Sequence, residues 1–208
     1  MDGVYTASGA ALALFMFLAA LDGVYLHLWR YRLYARPASR AEHRLHTIGA
    51  VLFVVTLPRL LLWQSGGWLL WSGIGLLAID LGVELADMGI ERRSRADLGG
   101  LSSFEYILHV VMVSARVAAL TLALVARPAE AWSLDSPLVL AGLPAFASAV
   151  AWQALPGSVL LAALHLWLCT DRGVARFEAW RRRLQARGAH THSRGCCAAS
   201  GCCSVEAA

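Results

Sequence analysis

Five apolar segments, at about 7–29, 47–65, 68–91, 104–126 and 144–169, make up most of this chain and dictate how it can fold. Each comes close to the ~20 residues that a bilayer's hydrocarbon core demands of a helix. Inside lipid, backbone N–H and C=O groups must be satisfied within the segment, so runs of this length and composition are helices. Breakers occupy the connections: Arg36-Pro37, Ser65-Gly66-Gly67, Gly99-Gly100 and Arg127-Pro128. The fifth segment is less regular. Pro144 and Pro156-Gly157 interrupt residues 138–169 and predict a kink, or a short surface helix before the span. The first segment follows Met1-Asp2-Gly3-Val4, which lacks a basic leader, and reads as a span and not as a cleaved signal. The expected fold class is all-α, a polytopic membrane helical bundle of about five transmembrane helices. Composition agrees, since only 15% of the 208 residues are charged where a soluble domain carries ~25%.

The arginines set an orientation. Five lie in the loop 30–46, three in 92–103 and seven after residue 170, against Arg127 alone on the other side. The positive-inside rule then predicts an outside N-terminus and a cytoplasmic C-terminus, as in a multi-pass protein of a bacterial inner membrane. Trp63, Trp68, Trp71 and Trp132 mark the outer interface, with Trp29 and Trp167 at the inner one. Because the arginines flank apolar runs and form no single face, the net charge of +4 is not a nucleic-acid footprint. Residues 1–170 read as the transmembrane bundle. Residues 171–187 read as a basic amphipathic surface helix, with Phe177, Trp180 and Leu184 on one side and membrane lipid as its partner. Residues 188–208 form a Cys/His-rich tail expected to be disordered.

Ionisable side chains are costly in a bilayer, so those that occur there carry the functional information. Asp80, Glu84, Asp87 and Glu91 form one helical stripe, and Glu105, His109, Met112 and Arg116 form another. Folded as a hairpin about residue 98, the stripes pair Asp80 with Arg116, Glu84 with Met112, Asp87 with His109 and Glu91 with Glu105. Asp80 and Arg116 then neutralise each other near the midplane. Below them acids outnumber bases, each uncompensated acid costing about 2.5–3.5 kcal/mol, and a divalent cation would relieve the excess.

The first hairpin adds ligands at the same depth. His27 closes segment one, and Glu42-His43-Arg44-Leu45-His46 opens segment two, with His43 and His46 on one helical face. Folded about Pro37, His27 is level with His46. Asp22 and His27 are five residues apart, about 140° around an α-helix at ~100° per residue. Asp22 is therefore expected to orient a ligand histidine and not to share its centre. His165 reaches the same level from segment five.

The predicted metal ligands are His27, His43, His46, Glu84, Asp87, Glu105, His109 and His165, with Asp22, Glu42, Asp80 and Arg116 in supporting or ion-pairing roles. Carboxylates and imidazoles directed inward from facing helices build di-iron and di-manganese centres. Here the spacings Glu42-x-x-x-His46 and Glu105-x-x-x-His109 depart from the Glu-x-x-His of those proteins. The function expected is a membrane metalloprotein with a cytoplasmic-side site, a di-iron-like non-haem oxidoreductase acting on a lipophilic small molecule. Iron is the favoured transition metal, with manganese or zinc as alternatives. The competing expectation is a transition-metal transport, handling or resistance protein that collects cargo with His190, His192, Cys196, Cys197, Cys202 and Cys203. No Gly-rich phosphate loop or dinucleotide fingerprint occurs.

Overall fold

The computed structural model describes residues 1–200, and their side chains as far as residue 187. The first helix, α1 (Asp2–Ala20), runs without a break into a π-helical turn region, Leu21–Arg30. It is followed by α2 (Arg40–Leu60), α3 (Gly67–Ser94), α4 (Ser103–Val125), α5 (Ala145–Leu168) and α6 (Asp171–Ser200). Among the described residues, four helical stretches are long and apolar enough to cross a membrane: Asp2–Arg30, Gly67–Ser94, Ser103–Val125 and Ala145–Leu168. The expected second span is not among them. Glu42, His43, Arg44 and His46 open α2, and Pro58 and Arg59 close it, which confines its apolar run to the middle of the helix.

The helix also stops short of residue 65, where the apolar segment had been expected to end. Trp63–Ser65 forms strand β1, paired antiparallel with β2 (Val139–Gly142), Trp63 opposite Gly142. β2 thus takes the place of the surface helix expected before the span, and Pro156 lies inside α5. Buried Arg127 explains how the ribbon is held. It donates to the Leu60 and Ser65 carbonyls, both at 2.7 Å, and so satisfies acceptors released where α2 ends.

The chain divides into two compact units, Met1–Leu166 and Trp167–Ala208. In the first, α1 lies along α4 and α2 along α3. Tyr5 donates to the Ala126 carbonyl at 3.2 Å, and Ser8 to the Ala119 carbonyl at 2.7 Å. These interhelical hydroxyl bonds tie α1 to α4 at Tyr5 and Ser8. Gly73 lets α3 close on α2, because a Cβ there would meet Leu60 Cδ2 at 2.7 Å and Arg59 Cβ at 2.9 Å.

Gly67 starts α3 with φ +53, and a Cβ would stand 2.5 Å from the Ser136 carbonyl oxygen. Both the left-handed backbone and the clash oppose any other residue. Gly67→Ala is expected to cost about 1–3 kcal/mol, seen as a lower thermal unfolding midpoint in detergent.

In the second unit, the Phe177 and Trp180 rings lie 5.3 Å apart on α6, where Trp180 and Leu184 are exposed. The expected tail at 188–208, with its histidines and cysteines, lies outside the residues whose side chains are described.

Candidate metal centre

The π-helical stretch decides the geometry of the site. Its N–H groups bond five residues back, as Tyr31 does to the Leu26 carbonyl at 2.9 Å. Residues five apart therefore stack on one face, where an α-helix would turn them away from each other. Asp22 Oδ2 consequently lies 3.4 Å from His27 Nε2, contrary to the divergence expected for an α-helix. His46 arrives from α2, its ring centroid 4.4 Å from that of His27. One donor atom from each of Asp22, His27 and His46 falls within 4.8 Å of the others. Small side-chain rotations bring such atoms to ligand spacing around an ion with ~2.1 Å bonds.

Other histidines surround this group. His109 Nε2 lies 3.1 Å from Asp22 Oδ1, and its Nδ1 lies 3.2 Å from Glu91 Oε1. The ring of His165 is 5.2 Å from those of both His43 and His46. Gly23 leaves the space between them open: a Cβ there would meet His46 Nε2 at 3.5 Å and His165 Nε2 at 3.7 Å. Asp87 Oδ2 stands 4.0 Å from His46 Nδ1 at the edge of the group.

Hydrogen bonding does not account for this cluster. His27, His43 and His165 are buried, yet among the described residues no hydrogen bond meets either ring nitrogen of His27 or His165. Asp22 Oδ2 and Asp87 Oδ1 are in the same position. Buried polar atoms in folded proteins are almost always satisfied, so orphans gathered at one spot need a partner. A transition metal fits them, because neutral imidazole nitrogens and carboxylate oxygens are its ligands.

Beneath the histidines lies a second polar group built on Arg95, which is fully buried. Its Nη1 reaches Glu42 at 2.8 and 2.9 Å, and its Nε donates to Glu105 at 3.2 Å. Tyr31 donates to Glu105 Oε2 at 3.0 Å, and its ring lies 5.2 Å from the Arg95 guanidinium. Burial and this bond to Glu105 both push the Tyr31 phenol up. Ser102 and Glu105 close a capping box at the start of α4. Glu42 Oε1 is also 3.9 Å from His27 Nε2.

Among the predicted ligands, His27, His43, His46, His109 and His165 thus come together, with Asp87 at their edge. Glu84 is instead drawn to Arg116 at 3.3 Å, and Glu105 is engaged by Arg95, Tyr31 and Ser102. The Asp80–Arg116 pair forms as the hairpin register predicted. Nearer the loop that register slips: Glu91, not Asp87, meets His109, and Arg95, not Glu91, meets Glu105. The chain reverses at Gly99 and Gly100, with φ +87 and +90, and not at residue 98. Moving the turn by two residues displaces the facing partners by about one helical turn. The sequence reading passed over Glu91 and Arg95 as site residues, though Arg95 continues the acidic stripe one turn beyond Glu91.

No family model, curated protein or solved structure matches this chain.

Proposed function

We propose that this protein is an integral membrane metalloprotein, a non-haem oxidoreductase that uses dioxygen on a lipophilic substrate. One observation carries the reading: Asp22, His27 and His46 converge within 4.8 Å, where the buried ring nitrogens of His27 and His165 meet no hydrogen bond among the described residues. Two imidazoles and one carboxylate with open positions are the donor set of non-haem iron oxygenases, which favours iron over manganese or zinc. When bound, iron would supply activation of dioxygen, with electrons from an external reductant. The residues present would do the rest. Asp22, His27 and His46 hold the ion. His109, placed between Asp22 and Glu91, fixes the second Asp22 oxygen, and Arg95 restrains Glu42, which stands 3.9 Å from His27. His43 and His165 extend the donor set past Gly23.

Five crossings are part of this reading. The 21 residues of α2 measure about 30 Å at ~1.5 Å per residue, the thickness of a hydrocarbon core, and α2 packs along α3. In its first turns Glu42 and His43 are buried within the bundle, whereas Arg40 and Arg44 are exposed. With the arginine bias, an odd number of crossings puts the N-terminus outside and the C-terminus in the cytoplasm.

Elemental analysis of detergent-purified protein, full-length and ending at residue 187, tests the assignment. Iron is expected in both, in equal amount per chain. Loss of all metal on truncation would transfer the site to the Cys/His tail and favour metal transport or handling.

A further inference from the structure

A cavity of about 160 Å³ begins at the histidine layer and continues into the bundle. An engineered cavity of about 150 Å³ is large enough to take benzene, so this one has room for a ligand and not just for solvent. Its polar end is formed by Asp22, His27, His46, Asp87 and His109. Its far end is formed by Phe15, Met16 and Phe53, with the Phe15 and Phe53 rings 5.2 Å apart as a floor. His46 and Phe53 lie two turns apart on α2, about 10 Å at ~1.5 Å per residue. A volume of this size drawn out over that length is narrow. Gly49 and Ala50 line the stretch between, and their small side chains keep the passage open.

The charged groups along the wall do not invite an anion, since Arg116 is shared by Asp80 and Glu84. The cavity also reaches the outside. Met88 lines it and is 52% exposed, next to the exposed Leu85 of α3. This mouth sits in apolar surface, where a ligand would arrive from lipid and not from water.

We propose that the cavity takes one unbranched alkyl chain, which enters past Met88 and seats its methyl end against Phe15 and Phe53. A methylene part-way along the chain then lies beside the histidines. That the chain is a substrate rests on the function proposed above; that it binds does not.

The test uses full-length protein in phosphatidylcholine vesicles and a long-chain fatty acid carrying a diazirine at its methyl end. After illumination, peptide mass spectrometry locates the adducts. Adducts are expected on Phe15, Met16 or Phe53, together with a background on the outward Leu14 and Phe17. Ala50→Phe or Val113→Phe, each filling the passage, should lower the floor adducts about tenfold, as ~1.4 kcal/mol of lost binding would. The Leu14 and Phe17 background should persist and report that each variant is inserted. Adducts confined to Leu14 and Phe17 in the unaltered protein would overturn the proposal, as would floor adducts that neither substitution reduces. Metal analysis of the same samples separates the two claims. Floor adducts without metal would retain the chain site and remove the oxidoreductase, and metal without floor adducts would do the reverse.

Discussion

His46→Ala is expected to leave the purified protein without bound metal after dialysis against a mild chelator, while the chain still inserts and folds. His46 is the one donor that α2 contributes to the converging group, and its ring lies between those of His27 and His165 at 4.4 and 5.2 Å. Removing a partner that only orients a ligand typically costs about 10–100-fold in affinity, so losing a ligand itself should exceed about 100-fold. Three comparisons give the result its meaning. Asp22→Ala should match His46→Ala, because the π-helix aims Asp22 at the same centre. His109→Gln should fall in the range of about 10–100-fold, since His109 braces Asp22 from behind. Glu84→Gln and Glu105→Gln should keep their metal, as Arg116 and Arg95 already engage those carboxylates. Full occupancy in His46→Ala would remove the centre from this part of the bundle.

The long apolar runs made four helices legible, because each carries enough consecutive apolar residues to be read as a candidate span by length and composition alone. The histidine layer was legible for a related reason: equal depth on antiparallel segments follows from counting residues. What resisted reading was local. Nothing in Leu21–Arg30 marks it as π-helical by propensity, and an α-helical wheel separated Asp22 from His27. In retrospect the spacing itself was the signal, since two buried polar residues five apart on one segment share a face only when the backbone bonds at that interval. The hairpin register failed nearest the loop because it hung on which residue reverses the chain. Two adjacent glycines with positive φ placed that reversal at 99–100, and ligand partners shifted by a turn. The ribbon between β1 and β2 joins residues some seventy-odd positions apart (about 75, far beyond the 2–6 residues of a common connection), and pairing at that range is not encoded locally.

Arg95→Leu is expected to be the most destabilising single change in the bundle, at about 3–5 kcal/mol. The guanidinium is fully buried and bridges Glu42 of α2 to Glu105 of α4, helices that begin on either side of α3. Its loss leaves two buried carboxylates facing each other with no cation between them, which is why breaking such a bridge costs more than forming it gains. Arg95→Lys should recover only part of the loss, because an ammonium carries the charge but lacks the fork that reaches both acids. Combining Arg95→Leu with Glu42→Gln and Glu105→Gln should raise the thermal midpoint above that of Arg95→Leu alone, since the charges then leave together. If the single and triple variants melt at the same temperature, uncompensated charge is not the cause and the guanidinium acts through packing. Metal content distinguishes a further consequence. Glu42 stands 3.9 Å from His27 Nε2, and Arg95 is what restrains it. Freed in Arg95→Leu, Glu42 can reach His27, so metal affinity in the folded fraction should change by about tenfold or more, whereas in the triple variant, which lacks that carboxylate, it should stay nearer to the unaltered protein.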